Sequence, residues 1–150
     1  NKFIKTYNDY EFVPITENNI NLVVDFLKEF YSEYDKISSI SIEDKNITFE
    51  FFNNYFKYNL LGGILKIQNK IIAISVGEII NDTLFVHIEK ANRMYLGAYQ
   101  MINNEFAKYY GKDTTYINRE EDVGDEGLRK AKLMYNPIEI LKKYIVEVKI

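Results

Sequence analysis

The chain has 150 residues, of which 47% are apolar, so its length and composition predict one globular domain. It has no cysteine and a single histidine, which excludes disulfides, thiolate catalysis and a His-rich metal site, so we predict no metal and a cytoplasmic location. The net charge of -3 argues against stable nucleic-acid binding, and no apolar run approaches the roughly 20 residues of a membrane span.

The first third of the sequence carries one strand signal and two helix signals. Residues 10–15 (YEFVPI) predict an opening strand, and Thr16 offers the N-cap of a helix. A second helix is predicted from about Ile42 to Asn59. The predicted core stripes of these helices are Ile20, Val23, Val24, Leu27, Phe30 and Tyr31, and then Ile47, Phe51, Tyr55 and Phe56.

The period of the pattern then changes from helix to strand. The runs LGGILKIQ, IIAISVGEII and TLFVHIEKA are strand-like, and the polar turns Asn69-Lys70 and Asn81-Asp82 join them. Two-residue polar turns between β-branched runs are typical of hairpins. These runs therefore predict a three-stranded antiparallel meander.

The sequence after the meander predicts two helices and two strands. Gly111 ends the first helix, and Asn136-Pro137 ends the second. TTYIN at 114–118 reads as a strand between them, and EILKKYIVEVKI at 139–150 alternates as a final strand. The predicted order is β-α-α-β-β-β-α-β-α-β, an α+β layout. The inner stripe of the first of these helices consists of Ala98, Met101, Ile102, Phe106 and Tyr109.

This order resembles the layout of the GNAT acyltransferase superfamily, which implies a mixed, mainly antiparallel sheet flanked by helices. The stretches HIEKAN, GAYQMINNEFA and INREEDVGDEGLRKAKLMYNP resemble, more specifically, a bacterial family related to the phosphatidylglycerol lysyltransferase C-terminal domain. Members of that family resemble two GNAT-like halves in tandem, and this chain is similar to the second. The chain begins with Asn, so we expect a piece of a longer protein, and the resemblance implies an N-terminal GNAT-like half as its partner.

The resemblance implies transfer of an acyl or aminoacyl group to an amine or hydroxyl of a small molecule or a lipid head group. In GNAT enzymes that bind acyl-coenzyme A, the loop after the fourth strand reads Arg/Gln-x-x-Gly-x-Gly/Ala, and its amides face the pyrophosphate. Here Leu96 occupies the first glycine position and Gly97 is offset by one. The resemblance implies either acyl-coenzyme A or an aminoacyl-tRNA as the donor, and Leu96 argues against acyl-coenzyme A. The alternative is a glycine used only for the turn. The candidate loop residues are Asn92, Arg93, Tyr95, Gly97 and Ala98.

Two side chains of the fourth strand are candidates for a general base. With regular alternation, Leu84, Val86 and Ile88 form an apolar face, and His87 and Glu89 lie side by side on the other. By resemblance, Glu89 matches the carboxylate base of many GNAT enzymes, and a neutral His87 is a base near pH 7. The alternatives are a Glu paired or exposed near a strand end, and a His with a structural role.

The segment 116–137 carries further candidates. Tyr135 is similar in position to a tyrosine that acts as general acid in many GNAT enzymes, and the alternative is a core tyrosine with a bonded hydroxyl. The other candidates either line a cleft or form an ion-pair network that only fixes the loop. They are Asn118, Arg119, Glu120, Asp122, Arg129 and Lys132.

Three functions are compatible with these patterns. The first is a GNAT-type transferase, and the second is a non-catalytic GNAT-like half that binds substrate or supports a partner domain. The third is a tRNA-contacting module, which the net acidity disfavours. Its basic strip would consist of Lys130, Lys132, Lys142 and Lys143.

Overall fold

The computed structural model describes residues 2–34, 41–120 and 126–148. The chain divides into two compact units, a first unit, Asn1–Asn118, and a second unit, Arg119–Ile150. The elements are α1 (Lys2–Thr6), β1 (Tyr10–Pro14), α2 (Ile20–Tyr34), α3 (Ser41–Asn53), β2 (Leu61–Ile67), β3 (Lys70–Ile80), β4 (Thr83–Ala91), α4 (Ala98–Tyr110), β5 (Tyr116–Asn118) and α5 (Glu126–Leu133).

The first unit contains one five-stranded sheet in the order β1-β2-β3-β4-β5. Strands β1 to β4 pair antiparallel, and β5 pairs parallel to β4. This confirms the predicted α+β class, the mixed sheet and the three-stranded meander. The first hairpin turn is Gln68-Asn69, one residue earlier than predicted, where φ angles of 49° and 65° suit a type I′ turn.

Helices cover both faces of this sheet, because successive strand residues point to opposite sides. Helices α2 and α3 pack on one face, and α1 and α4 pack on the other. The predicted stripe of α2 faces the core, with Val23, Leu27 and Tyr31 buried. On the face covered by α2 and α3, the buried apolar cluster consists of Val23, Leu27, Tyr31, Phe52, Tyr55, Ile64, Ile74, Val76 and Ile88. On the face covered by α1 and α4, the buried apolar cluster consists of Phe3, Leu65, Ile72, Ala73, Ala91, Ala98, Met101 and Ile102. A third, smaller cluster consists of Leu84, Val86 and Phe106.

Three helix predictions need correction. Helix α1 lay outside the predicted elements, and α3 ends at Asn53. The inner face of α3 carries Thr48 and Phe52, because the Thr48 hydroxyl shares a 2.9 Å hydrogen bond with the hydroxyl of the buried Tyr31. Ile47 and Phe56 are therefore exposed, at 46% and 47%. In α4, Tyr109 is also exposed.

The second unit differs from its prediction in two ways. Helix α5 ends as expected, with Asn136 at a φ of 50° before Pro137. However, no residue of α5 is buried, so the inner stripe that helical spacing predicts for Leu128, Ala131, Met134 and Tyr135 is exposed. Residues 139–148 lie in no strand, although their pattern predicted one, because no sheet edge within the described residues pairs with them.

Candidate active site on the fourth strand

Strand β4 loses one of its two neighbours halfway along its length. Its parallel ladder with β5 ends at the pair Phe85 and Asn118, whereas its ladder with β3 continues to Ala91. Within the first unit, residues 86–90 therefore form a strand edge that β5 does not cover. Such an edge presents backbone N–H and C=O groups that pair readily with an extended ligand.

A β-bulge interrupts β4 where this open edge begins. Val76 lies opposite Ile88, and Gly77 lies opposite Val86, so His87 is an extra residue on β4. A Cβ at position 77 would collide with the carbonyl oxygen of Phe85, so the bulge requires glycine there.

The bulge separates the two candidate bases. His87 packs on the α3 side, with its ring 5.5 Å from that of Phe51. Glu89 lies on the α4 side, where its Oε2 accepts a 2.6 Å hydrogen bond from Asn103 Nδ2. The prediction that His87 and Glu89 lie side by side is therefore wrong, because the inserted residue shifts the alternation by one position.

Glu89 lies in a small polar region between the sheet and α4. It is half-buried, and its partner Asn103 is only 6% exposed. Ser75 lies directly opposite Glu89 on β3 and is fully buried, and its Oγ has no hydrogen-bond partner among the described residues. A hydrogen bond to a carboxylate is shorter and stronger than a neutral one, so Asn103 orients Glu89. Sequence reasoning missed Ser75, whose only signal is a lone hydroxyl in an apolar run.

His87 has a carboxylate partner of its own. Its Nε2 lies 2.9 Å from Oε1 of Glu78 on β3, and the two side chains are 15% and 36% exposed. Such a contact selects the tautomer of the imidazole and orients the ring. Glu78 was also missed, although the Asn81-Asp82 turn sets a register that brings it near His87.

The loop after β4 is a hydrogen-bonded turn. Oδ1 of Asn92 accepts from the amide of Met94 at 2.9 Å, and its carbonyl oxygen accepts from the amide of Tyr95 at 3.1 Å. The amide of Ala98, the first residue of α4, donates to the carbonyl of Tyr95 at 3.1 Å. Three loop amides are therefore already engaged, and the exposed Arg93 directly precedes the first of them.

Gly97 lies against Phe3 of α1 and has a left-handed backbone conformation. Its φ is 84°, and a Cβ there would lie 3.3 Å from the Cβ of Phe3. Tyr7 of the same helix packs on Tyr95, with 5.6 Å between ring centroids. The backbone conformation and the Phe3 contact together account for glycine at this position, and the role of the loop in holding a donor stays a prediction.

The second unit brings four predicted residues into one cluster. The Arg119 guanidinium carbon lies 4.3 Å from the centroid of the Tyr135 ring. Lys132 Nζ donates to the carbonyl oxygens of Arg119 and Glu120, both at 2.7 Å. Tyr135 is 41% exposed, so the alternative of a core tyrosine is wrong. Arg129 is exposed on α5, and Asp122 lies outside the described residues.

A partly buried network joins α2 and α3 to β4, beside the candidate bases. The Tyr31 hydroxyl donates to Oδ2 of Asp44 at 2.6 Å, and Lys90 Nζ contacts the same oxygen at 2.7 Å. Burial, followed by the hydrogen bond to Asp44, raises the pKa of Tyr31 well above its usual range. Lys90, the neighbour of Glu89 on this strand, is thus held in place on the α2–α3 face.

Two other kinds of feature are absent from the ranges that the structure describes. No group of three or more His, Asp or Glu side chains there is arranged to hold a metal ion. No helix in the same ranges has the length and apolar character needed to cross a membrane.

Comparison with known proteins gives a family and a fold. Residues 1–147 match the protein family described as Phosphatidylglycerol lysyltransferase, C-terminal. A conserved protein of unknown function from Bacteroides thetaiotaomicron VPI-5482 is 42% identical with a TM-score of 0.82, and the match covers 93% of this chain and 48% of that one. An aminoglycoside N-acetyltransferase solved in complex with CoA is 7% identical with a TM-score of 0.63, covering 93% of this chain and 94% of that one. These likenesses confirm the predicted GNAT fold.

A curated relative has also not been characterised. A protein of Mycoplasmoides gallisepticum is 28% identical over 80 residues, which are 53% of this chain and 26% of that protein. The present chain thus spans about half the length of the Bacteroides protein, and its match covers a smaller share of the Mycoplasmoides protein.

Proposed function

The chain belongs to the Phosphatidylglycerol lysyltransferase, C-terminal family, and from that premise we propose that it is a GNAT-type transferase domain. It moves an acyl or aminoacyl group from an activated carbonyl donor to an amine or hydroxyl acceptor. The fold and the family support a transferase-like domain. The acceptor and the catalytic residues are our proposals.

The open edge of β4 is the observation that carries this proposal. The ladder with β5 ends at Phe85, and Glu89 follows on the uncovered stretch. The uncovered backbone N–H and C=O groups of this edge would hydrogen-bond polar groups of a donor that lies along it. Its reactive carbonyl would then lie near a carboxylate that Asn103 already orients.

Glu89 would act as general base in this reaction. The acceptor nitrogen or oxygen attacks the donor carbonyl and forms the new bond to carbon, while its proton passes to the Glu89 carboxylate. The bond from the carbonyl carbon to the leaving sulfur or oxygen then breaks, and a general acid protonates the leaving group. General-base help of this kind is worth roughly 10²–10⁴-fold in rate.

The loop after β4 favours a donor other than acyl-coenzyme A. The amides of Met94, Tyr95 and Ala98 donate within the turn, and Gly97 lies against Phe3. The pyrophosphate cradle expected for acyl-coenzyme A needs loop amides that are available to the ligand. An aminoacyl ester is therefore the donor that we propose.

A non-catalytic GNAT-like half is the second candidate, and the same loop favours it. A supporting half needs no donor site, so its loop is expected to be used for packing, as Gly97 and Phe3 are here. The two candidates differ in whether the protein carries out any transfer at all.

The Glu89→Gln variant tests the proposal. Transfer is measured from acetyl-coenzyme A and from aminoacyl-tRNA to amine and lipid head-group acceptors, beside thermal unfolding. Glutamine keeps an oxygen that accepts from Asn103, so the fold is expected to survive while transfer falls roughly 10²–10⁴-fold. The matched control is Glu78→Gln, which makes the same change on the neighbouring strand. Full transfer by Glu89→Gln would remove Glu89 from the mechanism, and no transfer by the native protein with any donor would favour the supporting half.

A further inference from the structure

The segment after α5 exposes an unusual amount of apolar surface. Residues 138–148 belong to no helix or strand, and no described strand pairs with them. Large apolar side chains scattered singly on a surface are normal, but a continuous run of them marks an interaction site. The exposed fractions are 87% for Ile138, 68% for Ile140 and Leu141, 80% for Tyr144, 94% for Ile145, and 83% for Val146 and Val148.

The same segment has the pattern of a half-buried strand. Its even positions are apolar except Lys142, whereas three of its five odd positions, Glu139, Lys143 and Glu147, are charged. Alternation with a period of two places each set on one face of a strand. β-Branched and aromatic residues dominate the even face, as expected where a strand packs on a core.

The longer relatives contain more chain than the part that matches here. The Bacteroides protein is 42% identical, yet this chain spans only 48% of it. That protein therefore carries about as much additional chain outside the match. A strand that is apolar on one face, with a row of backbone donors and acceptors on each edge, fits a partner with an open sheet edge beside an apolar core.

We infer that residues 138–148 form a β-strand that completes the sheet of a second folded portion, equivalent to the additional chain of the longer relatives. The even-numbered side chains pack on the core of that portion, and the odd-numbered ones face solvent. The inference concerns assembly and does not depend on catalysis by Glu89, so the two proposals can fail separately.

Amide hydrogen exchange tests this inference. The exchange of residues 140–148 is compared between the chain 1–150 and the complete natural polypeptide that contains it. We expect exchange to be slower by at least about 100-fold in the complete polypeptide, as for amides in a stable ladder. Unprotected amides there would overturn the inference, and so would a natural polypeptide with no chain beyond these 150 residues. Protection in the chain 1–150 that rises with protein concentration would instead assign the strand to a second copy.

A pair of substitutions on neighbouring positions tests which face is buried. Val146→Lys places a charge on the even face, and Ile145→Lys adds the same charge on the odd face. In the complete polypeptide, Val146→Lys is expected to abolish the protection, whereas Ile145→Lys leaves it within about threefold, because only a residue in a packed core must be desolvated. Equal effects of the two variants would overturn the half-buried strand.

Discussion

Asn103 on α4 donates a 2.6 Å hydrogen bond to the carboxylate of Glu89 on β4. This contact crosses the interface between helix and sheet, in a small polar region that borders the apolar cluster of α1, α4 and the sheet. It fixes the orientation of the one carboxylate on the open stretch of β4, and it explains why a poor helix former lies in the middle of α4.

The first prediction concerns this hydrogen bond. Asn103→Ala is expected to lower the free energy of unfolding by about 1–3 kcal/mol, because the half-buried Glu89 loses a donor and gains no equivalent partner. If Glu89 is the base, the rate of transfer falls as well. Thermal unfolding and the rate with saturating donor are the measurements. Asn104→Ala, at an exposed position of the same helix, is the control and is expected to change neither quantity.

The second prediction distinguishes the two candidate bases. His87→Gln is expected to keep transfer within about threefold, because His87 and Glu89 project to opposite faces of the sheet. Glu89→Gln is expected to lose roughly 10²–10⁴-fold. The rates of both variants are compared with the same donor and acceptor. The opposite ranking would move the base to His87 and give Glu78 the role of positioning it.

The third prediction is a loss of stability at alkaline pH. Burial raises the pKa of Tyr31 well above 10.0, so the folded protein keeps a proton that the unfolded chain releases. The contribution of Tyr31 to the free energy of unfolding is therefore fully present below pH 10. It decreases above pH 10 by about 1.4 kcal/mol per pH unit. Burial likewise raises the pKa of Tyr110 to about 12.

Denaturant unfolding between pH 8 and 12 measures this effect. Tyr31→Phe is expected to be less stable than the native protein at pH 8, by about 1 kcal/mol for the lost hydrogen bonds. Its stability should then fall less steeply above pH 10. Tyr144→Phe, at a position that is 80% exposed, is the control and should retain the native slope. Parallel slopes for Tyr31→Phe and the native protein would contradict the prediction.

The fourth prediction concerns the glycine before α4. Gly97→Ala is expected to cost about 1–2 kcal/mol of stability, because an L side chain is strained at a φ of 84° and its Cβ would crowd Phe3. Leu96→Ala, next to it and 55% exposed, should change stability by less than about 0.5 kcal/mol. Thermal unfolding compares the two. An unchanged melting temperature for Gly97→Ala would show that α1 does not pack on this loop.

Local patterns determined most of the elements of the fold. The period-two runs of the meander, the stripe of α2, the Gly111 stop and the Asn136-Pro137 stop all depend on neighbours within a few residues. Such signals are set by backbone sterics and by the burial of one face, and both can be read from short stretches of sequence. The order of these elements was enough to indicate the GNAT layout.

Tertiary structure alone decided how the candidate residues are distributed. The bulge at His87 arises from pairing with Gly77 on another strand, and that pairing places His87 and Glu89 on opposite faces. The polar side of α3 at Thr48 depends likewise on Tyr31, which lies 17 residues away. Residues 138–148 have the sequence pattern of a strand but form no β-ladder with the described strands. A strand forms only where the backbone N–H and C=O groups of another strand edge bond to its own.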